Sequence, residues 1–237
     1  MLTGLYSAAS GIVAAEMQQE AIAQNLAHVN MAGYRRVFTS FSSANADPMG
    51  DEQNAAKTGA RPRMNIDFSP GHFQSTGSPL DVALDGDGFF TVNTPSGPLY
   101  TRDGVLQISA DGKLVNSAGY EYEGVSPLPP NVTPSQVSIS RDGTVSADGR
   151  NLGRLKIVQF ADNRSLISAG PTMFAEGDLP PEDASTTFVQ QGVRELANVT
   201  STDELVAMLI GMRYHQAAQK ALSTLSDALQ EHISGGR

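Results

Sequence analysis

The sequence predicts an α+β protein: N- and C-terminal helices forming a coiled-coil-like pair, with a central all-β domain of hairpins between them. Three observations carry this. Apolar residues recur at spacings of three and four near both ends of the chain. That period disappears from about residue 66 to residue 193, where short alternating or apolar runs replace it. Asp-Gly pairs separate several of those runs, and Asp-Gly between alternating stretches is a strong hairpin signal.

The N-terminal helix is expected over Thr3 to Asn30. Leu5, Ala8, Ile12, Ala15, Gln19, Ile22, Leu26 and Val29 form a heptad stripe with one polar member, Gln19. The alanines between them favour helix. A helix of that length spans on the order of 40 Å. Gly33 is the expected stop, because glycine accepts the left-handed conformation that ends many helices. Residues 1–35 are therefore assigned to the first helix.

Residues 36–65 read as a linker or extended arm, since Ser42 to Arg63 is rich in Asn, Ala, Asp, Gly and Ser. The β domain is assigned to residues 66–193. Its strand candidates are DVALD, GFFTV, GVLQIS, KLVNS, VSISRD, GTVSAD and LKIVQF, with turns at Asp103-Gly104, Asp111-Gly112, Asp142-Gly143 and Asp148-Gly149. Residues 176–192, with Pro180-Pro181 and polar neighbours, read as a return linker.

Residues 194–237 carry the second helix. Ser201-Thr202-Asp203-Glu204 reads as a capping box with Ser201 at the cap. Met208, Gly211, His215, Ala218, Leu222, Leu225 and Leu229 form its stripe, and Leu205, Leu209 and Met212 a neighbouring apolar face. The helix should run to about His232, before Gly235-Gly236. Two helices alone leave a face of each wet, so these stripes call for further copies: an oligomer or a polymer.

Composition narrows the function. The 237 residues carry a net charge of −9, and a nucleic-acid binder needs a basic face. The dense basic pairs, Arg35-Arg36 and Arg61-Pro62-Arg63, read as solvated surface. The absence of cysteine excludes disulfides, thiolate chemistry and cysteine metal sites. No charged n-region precedes Arg35, and no run approaches the ~20 apolar residues of a membrane span. His28, His72, His215 and His232 form no metal-binding pair, and no nucleophile elbow is present. Asp85-Gly86-Asp87-Gly88 is followed by strand rather than by calcium ligands, so it reads as a turn. Asn131-Val132-Thr133 and Asn198-Val199-Thr200 match the glycosylation acceptor only as common short patterns. No catalytic residue, metal or cofactor is expected.

Three separated blocks resemble the bacterial flagellar basal-body rod and hook proteins. AQNLAHVNMAGYRR, residues 23–36, is similar to that family's N-terminal signature through Asn25, Leu26, Ala27, Asn30, Gly33, Tyr34 and Arg35. It departs from the signature at His28 and at Met31-Ala32. The second block is SPLDVALDGDGFFTV with YTRDGVLQISADGKLVNSAGY, from Ser78 to Tyr120. The third is ANVTSTDELVAMLIGMRYHQAAQKAL, from Ala197 to Leu222, with Arg213-Tyr214 in place. The runs Ser78–Leu84 and Gly153–Val158, and the chain length, look most like the proximal rod branch, with the distal branch as the alternative.

What the resemblance implies is a structural subunit. It would leave the cell through the flagellum's type III export apparatus without a cleaved signal and stack helically into the periplasmic rod that transmits torque. Its terminal helices would form the axial core and order on assembly. Its partners would be copies of itself and other rod and hook subunits, with no nucleic acid and no membrane insertion. The assembly-interface candidates are Leu5, Ile12, Ile22, Asn25, Leu26, Val29, Asn30, Gly33, Tyr34, Met208, Met212, Arg213, Leu222, Leu225 and Leu229. The alternative from another class is a soluble coiled-coil adaptor with a β ligand-binding domain, which should form a closed oligomer.

Overall fold

The computed structural model describes residues 2–42 and 61–234. It is an α+β chain with a helix at each end and a β-rich middle. The chain forms two compact units. Unit 1 comprises Met1–Ala27, Val37–Asp67 and Val199–Arg237, and unit 2 comprises His28–Arg36 and Phe68–Asn198.

In unit 1 the first helix, α1, spans Leu2–His28 and the second, α2, spans Ser201–Ser234. Helix α2 is capped one residue earlier than the sequence suggests. Thr200, not Ser201, accepts from the Asp203 amide through its hydroxyl at 3.3 Å, and its carbonyl accepts from the Glu204 amide at 3.2 Å. Two adjacent hydroxyl residues make the choice invisible in sequence, because backbone conformation decides which is the cap. Asp203 and Glu204 complement the positive end of the helix.

Along α2, burial follows the heptad stripe. Gly211 is buried and Met208, His215, Ala218 and Leu222 are half-buried, while most residues between them are exposed. A Cβ at Gly211 would lie 3.8 Å from Gln19 Cγ and 3.9 Å from Ile22 Cδ1, so at that level α2 meets the α1 stripe. The side chains of Leu5, Leu225 and Leu229 lie outside the described residues.

The 36–65 linker is corrected in part. Val37–Ser42 and Arg61–Ile66 form an antiparallel ribbon, in register from Val37↔Ile66 to Ser42↔Arg61. Backbone groups close such a ladder whatever the side chains, so its polar composition concealed it. Residues 43–60 of that predicted arm lie outside the described residues. Asn25 ties the ribbon to α1: its Nδ2 donates to the Val37 carbonyl and its Oδ1 accepts from the Val37 amide, both at 2.8 Å. One side-chain amide thus does for Val37 what a neighbouring strand would.

Unit 2 is built from short antiparallel strands around a core that includes Val82, Leu84, Phe90, Val92, Tyr122, Val145, Leu155 and Val189. Phe89–Thr94 is central to the largest sheet, pairing with Gly97–Thr101, Glu121–Tyr122 and Ile157–Gln159. A three-stranded sheet runs Val137–Ile139, Thr144–Ala147, Arg150–Arg154. Asp111-Gly112, Asp142-Gly143 and Asp148-Gly149 connect adjacent antiparallel strands, as expected. Asp85–Gly88 is the turn into the Phe89 strand.

Two expectations fail here. Asp103-Gly104 is no hairpin: Asp103 is buried, and the Gly104 carbonyl accepts from the Val82 amide at 2.9 Å. A Cβ at Gly104 would meet the Val82 carbonyl oxygen at 1.8 Å, so the glycine serves close backbone approach. The 176–192 linker also contains core structure. Phe188–Gln191 pairs with Val82–Asp85, and Val189 is buried between them and the hydrophobic core. That pairing partner lies about a hundred residues upstream, beyond the reach of local pattern.

Candidate functional site

The chain presents two features that its role can use: a buried polar knot in unit 2 and an exposed apolar arc on α2. The knot begins where the chain leaves α1. The helix ends at His28, and the chain turns through Met31, whose amide donates to the His28 carbonyl at 2.9 Å. Gly33 is therefore not the helix stop. It lies five residues further on, with φ +67°, and its amide donates to the Glu195 carbonyl at 2.9 Å. His28 and Tyr34 stack with ring centroids 5.2 Å apart.

Arg35, expected on a solvated surface, is buried. Its Nη2 lies 2.6 Å from Glu195 Oε1. The same oxygen accepts from the Gly71 amide at 3.1 Å, and Arg102 Nη1 approaches Glu195 Oε2 at 3.4 Å. Two guanidinium groups therefore share one carboxylate. Arg102 spreads its charge further, donating to the Gly86 carbonyl at 2.8 Å and lying 5.4 Å from the centre of the Phe89 ring. Burial lowers the Arg102 pKa, and Glu195 opposes that shift.

The knot joins the three sequence blocks: Gly33 to Arg35 from the first, Arg102 from the second, and Glu195 just before the third. Glu195, Arg102 and Gly71 were not singled out by sequence. The available signal was a glutamate in the stretch Val193-Arg194-Glu195-Leu196 and an arginine within YTRDG.

Asp103 sits beside the knot, 5% exposed. Burial pushes its carboxyl up to about 6 and Asp81 adds to this, against the Val105 amide and Arg194. The unfolded group titrates near 3.8. The folded state therefore holds this proton more tightly, and Asp103 costs stability as pH rises from about 4 to 6. Asp103→Asn keeps an oxygen for the Val105 amide, which Asp103 Oδ1 accepts at 3.0 Å. In urea titrations the variant should gain on the order of 2–3 kcal/mol over the wild type at pH 7 relative to pH 4. Parallel stability curves would contradict the assignment.

The second feature is in unit 1. Leu205, Val206, Leu209, Ile210, Met212 and Tyr214 are 40–64% exposed. At 100° per residue they spread over a broad arc of α2 that flanks the Met208–Gly211–His215 stripe and runs round to the side facing away from it. Exposed apolar side chains grouped along one arc, with Arg213 among them, are what a surface for association needs. Of the other interface candidates, Ile22 is buried, Ile12, Leu26, Val29, Met208 and Leu222 are half-buried, and Asn30 and Arg213 are exposed. Asn25, Gly33 and Tyr34 are buried within the chain. Among the described residues no cluster of metal-binding side chains occurs and no helix is long and apolar enough to cross a membrane.

Comparison with known proteins agrees with this architecture. The family profile described as flagellar hook protein FlgE/F/G D1 domain matches residues 83–147, within unit 2. The flagellar basal-body rod protein FlgG of Bacillus subtilis is 30% identical over 263 residues, covering 99% of each chain. FlgG of Borreliella burgdorferi is 29% identical over 260 residues and 97% of each chain. The flagellar basal-body rod protein FlgF of Rhizobium meliloti is 29% identical over 223 residues, covering 89% of this chain and 88% of the relative.

Proposed function

This chain belongs to the flagellar basal-body rod protein family and is a structural rod subunit; from that premise we propose that it polymerises through its two terminal helices. The observation that supports this most is the exposed apolar arc of α2, from Leu205 to Tyr214. One side of α2 carries the stripe that meets Gln19 and Ile22, which supports a coiled-coil-like pairing of the ends. The other side then serves a neighbouring subunit. The reading requires the arc to meet a different surface of the next subunit, because a heterologous contact that does not close on itself builds an open helical stack.

In this reading the partners are further copies and the neighbouring axial proteins, and the stack carries torque across the periplasm. The subunit reaches the growing tip by the flagellar export route, without a cleaved signal. Ordering the ends on assembly costs about 1–2 kcal/mol per residue fixed, which burial must repay. Burial of the arc offsets part of that cost, at about 1.5–3 kcal/mol for each fully buried leucine.

Leu209→Asp on the exposed arc and Leu26→Asp on α1 should each leave unit 2 folded and abolish motility when they replace the wild-type copy. Circular dichroism of the purified chain, with swimming assays and counts of isolated basal bodies, checks this. A motile strain carrying either variant refutes the interface. A closed dimer or tetramer of the wild-type chain by native mass would favour the adaptor instead.

A further inference from the structure

The chain crosses between its two units four times: after Ala27, after Arg36, after Asp67 and after Asn198. Within unit 2 the segments at these crossings are tied together, and one side chain does most of the tying. The Asn198 Oδ1 accepts from the Arg36 amide at 2.6 Å. Its Nδ2 donates to the Ser69 carbonyl at 3.0 Å and lies 3.2 Å from the Ser69 hydroxyl. Its own amide donates to the Tyr34 carbonyl at 3.4 Å. Residues 36, 69 and 198 each lie within two residues of a crossing. The remaining crossing, at residue 28, opens the same nine-residue segment, His28–Arg36.

The ladder continues inward. Gly33 donates to the Glu195 carbonyl at 2.9 Å, and Leu196 donates to the His72 carbonyl at 2.8 Å. It ends on the Arg35–Glu195 pair. The residue type matters, because only a planar amide offers a donor and an acceptor on opposite edges of one short side chain. Aspartate could accept from Arg36 but would set a carboxylate against the Ser69 carbonyl.

We propose that Asn198 is a positioning residue for force transfer: it clasps the crossings after Arg36, Asp67 and Asn198 so that unit 2 receives them as a single rigid anchorage. This rests on the rod reading above. The clasp is half-buried, away from the hydrophobic core, so its loss loosens the crossings without unfolding unit 2. In a subunit that carries torque, the consequence grows with the load.

The test uses Asn198→Ala in the full-length chain, both purified and as the replaced copy in a motile host. By hydrogen exchange, the amides of Arg36 and Asn198 should lose at least about fivefold in protection, while those of Phe90 and Val145 stay as in the wild type. Basal bodies should form in normal number. Swimming speed should match the wild type in dilute medium and fall about twofold or more in viscous medium. Unchanged protection at Arg36 and Asn198, or a wild-type speed curve at every viscosity, overturns the proposal. So does a failure to form rods with the core amides still protected, which would make Asn198 an assembly residue. Failure to find the wild-type chain in isolated basal bodies sinks the rod reading instead, and the exchange result still judges the clasp.

Discussion

Glu195→Ala should destabilise unit 2 by about 3–5 kcal/mol, the cost of removing one partner from a buried ionic group. The size follows from what is left behind. Arg35 and Arg102 would keep two buried positive charges with no carboxylate, and the Gly71 amide would lose its acceptor. Arg35→Ala should cost less, because Glu195 would still hold Arg102 and the Gly71 amide. An exposed pair sets the scale. Lys113 and Glu121 lie 2.7 Å apart with side chains 42% and 30% exposed, and Lys113→Ala should change stability far less than Glu195→Ala, because solvent screens the pair. Chemical denaturation of the three variants, followed by a unit 2 signal such as tyrosine fluorescence, measures all of them. Equal small losses for Glu195→Ala and Lys113→Ala would mean that the knot contributes nothing beyond a surface ion pair.

The knot also marks the boundary of what the sequence could reveal. Both end helices were legible because their information is local: apolar residues at spacings of three and four, alanines between, acids in the first turn of α2. The Asp-Gly hairpins were legible for the same reason. Misreadings arose where the deciding partner is far away in sequence. Arg35 looked like a solvated cation because it follows a helix in a basic pair with Arg36, while its carboxylate is 160 residues away. Val189 looked like linker because its strand pairs with Val82–Asp85. Asp103-Gly104 has the local chemistry of a turn, but burial against Val82 overrides it. The exposed arc of α2 was half visible: Leu205, Leu209 and Met212 were identified as a second face, and solvent exposure of Val206, Ile210 and Tyr214 widens it. A chain that must leave an apolar face open looks, by pattern alone, like one that has buried it.

Gly33 gives the most discriminating test of the long-range reading, because a matched control exists. Gly33 and Gly77 have nearly the same backbone, φ +67° and +68°. Either changed to alanine must hold a left-handed conformation, at about 1 kcal/mol. Their surroundings differ completely. At Gly77 an added Cβ meets nothing within 4 Å, whereas at Gly33 it meets the Arg102 carbonyl carbon at 2.3 Å and the Asp103 amide nitrogen at 2.4 Å. Those are backbone atoms and cannot rotate away, so the two segments must separate. Separation strains the Gly33 amide bond to Glu195 and the knot beneath it, adding a further 1–3 kcal/mol on the scale of an overpacked core. Gly33→Ala should therefore lower the stability of unit 2 by roughly 3 kcal/mol, against about 1 kcal/mol for Gly77→Ala. Gly33→Val should go further in the same direction. In cells the Gly77 variant should build rods and the Gly33 variants few, with loss of the folded subunit rather than of its export as the cause. Equal losses for the two alanine variants would show that the left-handed backbone, not packing on Arg102 and Asp103, is all that Gly33 provides.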